Sequence, residues 1–340
     1  SFHFVLKVRI MERSLTMNKT FGQLRARLSR LMSVPAIGPL MALLLACIYF
    51  TTQSENFLTG TNLSLIIQQV MVVGALAIGQ TLVILTSGID LSNGMIMALS
   101  SVLMVGLATN NGMPPALAVG VGLLVCVLLG ALNGGLVTIV RLPPFIVTLG
   151  TYNIVFALIR IYSTQTIVAP DSLLFFGQTF RIGGTSITYG SVLMFVMFVI
   201  AWFILRSTAA GRNLYATGDN PEAARLAGIN TKRLIIGVYV VAGIMYGIAG
   251  LLLAARTGVG DPNAGQNANL ESITAVVLGG TSLFGGRGNI MGTLVGALIV
   301  GVFRNGLQLM GVPSIYQVLI TGILVIVAVS IDMLSHRDSK

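Results

Sequence analysis

Charge is what this sequence has least of. Asp, Glu, Lys and Arg make up 9% of its 340 residues, against about 25% in a soluble domain, which excludes an ordinary water-soluble protein. Histidine is as scarce. His3 and His336 are the two present, both near the chain ends, so no imidazole is available inside the apolar segments for Ser-His chemistry. Cys47 and Cys126 lie within apolar runs and lack a Cys-x-x-Cys spacing, which supports neither a disulfide framework nor a metal site. Both are expected to pack as small hydrophobes. The Gly-x-x-x-x-Gly-Lys-Ser/Thr phosphate loop is also missing, so no ATP hydrolysis is expected of this chain.

What is present is apolar length. Hydrophobic residues reach 55% and the mean hydropathy is +0.90, the profile of a polytopic all-α membrane protein whose spans need about 20 residues each. The apolar runs predict ten transmembrane helices, at about 34–52, 63–86, 92–109, 116–140, 144–162, 188–206, 234–256, 270–284, 289–305 and 315–332. The eighth is short and Gly-rich, which leaves a re-entrant segment as an alternative, but the basic tail, Arg337 and Lys340, argues for a full crossing because it restores even parity. The run from Val34 to Thr51 is longer than a signal-peptide core and no clear small-residue cleavage site follows it, so it reads as the first span. Residues 1–33 read as a basic cytoplasmic arm, 34–333 as the transmembrane domain with a cytoplasmic connection at 206–233, and 334–340 as a cytoplasmic tail.

A net charge of +10 raises the question of nucleic acid, and the placement of the charges answers it. With both termini inside, all of the 20 basic residues except Arg160, Arg181, Arg256 and Arg304 fall on the cytoplasmic side, the bias expected of an inserted membrane protein. The 40 glycines point to closely approaching helices, with small-residue spacings at Gly288/Gly292/Gly296, Gly130/Gly134 and Gly243/Gly247. A weak self-similarity relates 86–97 to 281–291, of the kind duplicated transporter halves leave.

The most informative segment is Gly218-Asp219-Asn220-Pro221-Glu222-Ala223-Ala224-Arg225-Leu226-Ala227-Gly228. Asn220 or Asp219 can cap a helix, Pro221 suits its first position, Glu222 suits the positive end of its dipole and Gly228 supplies a left-handed stop. Such a helix spans about two turns and is marginal alone. Its small surface, Ala223, Ala224, Leu226 and Ala227, fits a groove on a cytoplasmic partner.

Inside the spans, ionisable groups are expensive, and Asp90 and Glu271 are the two to weigh. Asp90 sits at a break between two apolar helices, where a carboxylate can satisfy exposed backbone N–H groups or line a path. Glu271 stands beside Asn267 and Asn269 at the mouth of the eighth span. Gln80, Asn133, Phe145, Thr148, Tyr152, Asn153 and Gln266 add amides, a hydroxyl and aromatic rings suited to a hydroxylated solute, although single polar residues in spans most often bond helices together.

Four stretches together, 211–229 (GRNLYATGDNPEAARLAGI), 88–94 (GIDLSNG), 142–150 (LPPFIVTLG) and 270–288 (LESITAVVLGGTSLFGGRG), resemble the permease subunit of bacterial sugar ABC importers of the ribose, xylose and fructose group. The text at 175–183 and 296–303 is most similar to the fructose type. Asn93 departs from the Val or small residue common there, and 163–172 is shorter. The resemblance implies an importer-type permease fold in the bacterial inner membrane, two permease copies, lipid surroundings, cytoplasmic ATPase subunits that use ATP and Mg, and a periplasmic sugar-binding protein. It makes 220–228 the coupling helix, with Gly218, Asn220, Pro221, Glu222, Ala223, Ala224, Arg225 and Gly228 as coupling residues.

Two other classes compete. Gly258-Val259-Gly260-Asp261 matches the G-x-G-D string of intramembrane aspartyl proteases, but Pro262 and Asn263 follow it in what reads as a polar turn. An ion-driven secondary transporter would use Asp90 or Glu271 as its coupling carboxylate and would not need the capped cytoplasmic helix.

Overall fold

A computed structural model describes residues 37–337. The predicted arm 1–33, with His3, and Lys340 of the tail lie outside the described residues. Apolar helices occupy all ten predicted positions: α1 (Ile37–Gln53), α2 (Gly60–Leu85), α3 (Asn93–Thr109), α4 (Pro115–Thr138), α5 (Pro144–Tyr162), α6 (Tyr189–Ser207), α9 (Thr231–Thr257), α10 (Ala268–Leu278), α11 (Ile290–Leu309) and α12 (Ser314–Arg337). Six of them, α2, α4, α5, α6, α9 and α11, are long and apolar enough to cross a membrane. Two further helices, α7 (Ala209–Asp219) and α8 (Pro221–Leu226), fill the connection between α6 and α9. The last helix continues to Arg337, so 334–337 prolong it.

The boundaries follow from local chemistry. Pro115 and Pro144 open α4 and α5, where the missing N–H costs nothing. Thr59, Thr188, Asn230 and Asn289 cap α2, α6, α9 and α11 with side-chain oxygens that accept first-turn N–H bonds. Gly258, with φ +73°, stops α9 in the left-handed conformation.

α2 forms the centre of the bundle. From Val70 to Leu85 every residue except Leu82 is buried, as expected of a helix apolar on all sides. It packs on α9, α11, α10 and α6. Two polar clasps join it to α11: Asn62 and Asn305 exchange amide hydrogen bonds of 2.9 and 2.8 Å, and the hydroxyls of Thr81 and Thr293 meet at 2.9 Å. The small-residue spacings pack as expected. Gly130 and Gly134 abut the α9 backbone at Tyr239 and Ile236, Gly243 abuts the Cys126 carbonyl, and Gly292 and Gly296 abut Gly279 and Ala275 of α10. Cys126 is fully buried and Cys47 partly so.

Three features depart from the sequence reading. The eighth segment is helical only over Ala268–Leu278, 11 residues or about 16 Å, too short to cross about 30 Å of hydrocarbon alone. The turn at Gly279 and Gly280, the latter at φ +84°, ends it well before 284. The connection 206–233 holds two helices where one was expected. The chain is also not wholly helical: β1 (Ile167–Val168) pairs antiparallel with β4 (Val259–Gly260), and β2 (Thr179–Ile182) with β3 (Thr185–Thr188) around Gly183–Gly184. The alternating TFRI-GG-TSIT text is a two-residue hairpin signal. Both sheets lie at the end of the bundle where α2 begins, with Gly60 against Gly184. The opposite end carries α7, α8 and the loop 281–289.

Candidate functional site

Two helix breaks meet inside the bundle. Residues 86–92 separate α2 from α3, and residues 261–267 separate β4 from α10. Gly94 and Gly265 face each other so closely that a Cβ on either would overlap the other's carbonyl. The amide of Asn93 donates to Gln80 Oε1 at 2.9 Å and to Ser272 Oγ at 2.8 Å, joining the start of α3 to α2 and α10. Non-helical backbone at this depth is tolerable only when buried polar partners satisfy it.

Some of those partners are residues the sequence singled out, whereas Thr151, Ser272, Tyr239 and Tyr246 were not among them. Asp90, 1% exposed, accepts from the backbone N–H of Ser92 at 2.8 Å and from its hydroxyl at 2.6 Å. Asn133 of α4 donates to Ser92 Oγ at 3.1 Å, and Thr151 of α5 donates to Asn133 Oδ1 at 2.6 Å. Thr148 donates to the Ile89 carbonyl and accepts from Leu91 N, each at 3.1 Å. The buried hydroxyls of Tyr239 and Tyr246 lie beside Asp90. Gln80, Asp90, Asn133 and Thr148 therefore belong to one network that fixes the break.

The other predicted path residues lie elsewhere. Phe145 and Asn153 occupy the outward face of α5, Phe145 at 51% exposure, and Tyr152 is half-buried at its edge. The Asn153 amide turns back to the Leu149 carbonyl at 3.0 Å. Gln266 and Glu271 line a cavity of about 470 Å³ between α2, α9, α10, α11 and α12. Glu271 is not a free carboxylate, since both its oxygens accept from Arg304 at 2.9 and 3.1 Å. Arg256 lines the same cavity, so Arg256 and Arg304, expected to face the outer side, both border it. An acidic and a basic residue in neighbouring spans is the signal that could have revealed the pair.

Asp261 accepts from the N–H of Asn263 at 2.9 Å. That closes a local turn and gives it a structural role.

At the other end, α7 and α8 form an angled pair. Thr208 caps α7 by accepting from Gly211 N. Asn220 caps α8, its Oδ1 accepting from Glu222 N at 3.1 Å and Ala223 N at 2.9 Å. Gly228, at φ +89°, ends the motif as expected. Ala224 turns inward and is buried, in contrast to its expected place on the docking surface, whereas Leu226 is 78% exposed. Glu222 and Arg225 form an ion pair one turn apart, which lowers the Glu222 carboxyl and raises the Arg225 guanidinium from their ordinary pKa values. Both are fully solvated, so the pair adds little to stability.

No local pattern announces how this helix pair is seated. Gly218 lies against the Leu85 carbonyl, with no room for a Cβ. Ser87 Oγ stands 2.9 Å from the Gly218 carbonyl and 2.8 Å from the Phe284 carbonyl, sharing one proton between them. Gly286 N donates to Leu85 O at 3.0 Å, and Tyr215 donates to Gly288 O at 3.0 Å. Ser87 has φ +62°, a left-handed conformation that L residues with a Cβ adopt at a cost of about 1–2 kcal/mol. The end of α7, just before α8, thus touches both the break before α3 and the loop before α11.

The family described as branched-chain amino acid transport system / permease component matches residues 62–329. The chain is 51% identical over 308 residues to the fructose import permease protein of Rhizobium meliloti, covering 88% of this chain and 86% of that protein. It is 39% identical over 300 residues to the ribose import permease protein of Bacillus subtilis, covering 87% and 92%. It is 30% identical over 359 aligned positions to the xylose transport system permease protein of Escherichia coli, covering 88% and 91%. With one continuous match running from α2 into α12, the chain belongs to this family of multi-pass membrane permease components.

Proposed function

We propose that the chain is the membrane-spanning subunit of an ATP-driven importer for a monosaccharide of the fructose or ribose class. The observation that carries this reading is the seat of the α7–α8 pair: α8 is capped and exposed, and the end of α7 just before it is bonded to both the 86–92 break and the 281–289 loop. A push on α8 would move the starts of α3 and α11 together, a rigid-body switch rather than a local flexing. The chain itself performs no catalysis. ATP and Mg are used by cytoplasmic ATPase subunits docked on α8, through Pro221, Glu222, Ala223, Arg225 and Gly228, with Gly218, Asn220 and Ala224 holding its shape.

In this reading both termini are cytoplasmic in a bacterial inner membrane, and ten segments cross it. The eighth crossing is completed by the 261–267 approach to α10. A second copy of the permease packs on the outward face of α5, placing Phe145 and Asn153 along the path between copies. Asn153 supports that placement, because a side-chain amide on an otherwise apolar face is poorly served by lipid. A periplasmic sugar-binding protein delivers the sugar at the end that carries the two small sheets.

The ion-driven alternative loses its two carboxylates to local bonds, Asp90 to Ser92 and Glu271 to Arg304. Uptake of labelled fructose and ribose into cells separates the mechanisms. Collapse of the proton and sodium gradients at constant ATP should leave uptake intact, and depletion of ATP should stop it. The reverse pattern would refute the proposal.

A further inference from the structure

The chamber between α2, α9, α10, α11 and α12 holds polar groups that the protein itself leaves unsatisfied. Arg256, in the last turn of α9, has a buried Nε–H with no acceptor, and Gln69 of α2 has a buried Oε1 with no donor. Beside them stands the Glu271–Arg304 pair. Burying a donor or an acceptor without a partner is unfavourable, so an occupant that serves both is favoured.

The unpaired groups are of opposite kind, and that restricts the occupant. An anion would satisfy Arg256 and leave Gln69 Oε1 facing another acceptor. A hydroxyl both donates and accepts and can satisfy the two together. The rest of the wall mixes further polar side chains, among them Gln266, Thr274 and Gln317, with apolar ones that include Phe303, a combination suited to the hydroxyls and the C–H face of a pyranose or furanose. At about 470 Å³ the chamber is far larger than the roughly 30 Å³ of one water and falls within the usual range for small-molecule sites.

We propose that this chamber is a monosaccharide site inside each protomer, separate from the path between copies, with Gln69 and Arg256 as its hydroxyl-recognising groups. It rests on the sugar-importer reading. The site gives the sugar a place to dwell beside the 261–267 break, where occupancy bears on the start of α10.

The test uses the permease purified from its native membrane with the subunits that accompany it. Retention of tritiated fructose and ribose is measured by equilibrium dialysis, with inorganic phosphate as competitor. Gln69→Leu removes the acceptor and Val73→Trp fills the chamber, both far from α8. Wild type should retain one of the sugars, phosphate should not displace it, and each variant should weaken retention roughly tenfold or more, as expected for a lost buried hydrogen bond or a blocked site. Companion subunits should co-purify unchanged with both variants. Wild-type retention in both variants, or displacement by phosphate, overturns the chamber while uptake in cells leaves the importer reading standing. Uptake of neither sugar by wild-type cells, with no ATPase in the preparation, removes that reading and the chamber with it.

Discussion

The hydroxyl of Ser87 donates to the carbonyl of Gly218 across 2.9 Å, and this contact joins the α7–α8 pair to the first break of the transmembrane bundle. Ser87 also reaches the Phe284 carbonyl, so one side chain ties three segments that are distant in sequence. Ser87→Ala removes those bonds and keeps the backbone. With a net hydrogen-bond value of about 1 kcal/mol, it should lower uptake roughly fivefold while ATPase co-purification is unchanged. Unchanged uptake would show that the junction transmits nothing.

Gly218 makes the same junction sensitive to volume. A Cβ there would overlap the Leu85 carbonyl and crowd Gly286. Gly218→Val should cost about 1–3 kcal/mol through overpacking, read as a lower thermal midpoint of the purified permease and a loss of uptake. Gly237→Ala, at a helical glycine with open space around it, should leave both unchanged.

Asp90 separates a structural carboxylate from a transporting one. Its work in the structure is acceptance from Ser92, which an amide oxygen can perform. Asp90→Asn should fold and retain most uptake, whereas Asp90→Leu leaves Ser92 and the break without an acceptor and should lose folded yield. An Asp90→Asn protein that folds normally and transports nothing would assign the charge itself a transport role.

The Glu222–Arg225 pair has a defined but weak pH signature. Because the folded Glu222 pKa is lowered, the pair's contribution is present above the ordinary Glu value of about 4.3 and is lost as pH falls through the lowered one. Both groups are fully exposed, so Glu222→Gln should leave the thermal midpoint unchanged at neutral pH. Where the side chain meets a charged partner, the variant shows weaker ATPase retention at low salt, and its difference from wild type shrinks as salt rises.

Much of this architecture is written in local pattern. Apolar length located the helices to within a few residues because a span has one dominant requirement, and the Asn220-Pro221-Glu222 start and Gly228 stop of α8 are chemical signals readable in order. The eighth segment misled because hydropathy counts apolar residues through Gly279 and Gly280, where the backbone has already left the helix. The hairpin at 179–188 carried a usable alternation signal that apolar length conceals. The long-range contacts were not legible. Nothing around Ser87 announces Gly218, and nothing around Gln80 announces Ser272, since those meetings depend on how the helices pack. Asp90, Asn133 and Thr148 could be picked out as unusual polar residues, but their joint role in holding the break emerges only with α3, α4 and α5 in place.

Co-purification tests the account at its centre. The intact permease and a variant with Pro221–Gly228 replaced by a Gly/Ser linker are isolated from native membranes in mild detergent, and the accompanying proteins are identified by mass spectrometry. The account predicts a phosphate-loop ATPase with the intact chain and its loss from the variant, with both permeases showing the same thermal midpoint. An ATPase retained equally by the two, or absent from both under conditions that preserve a known importer, would contradict it.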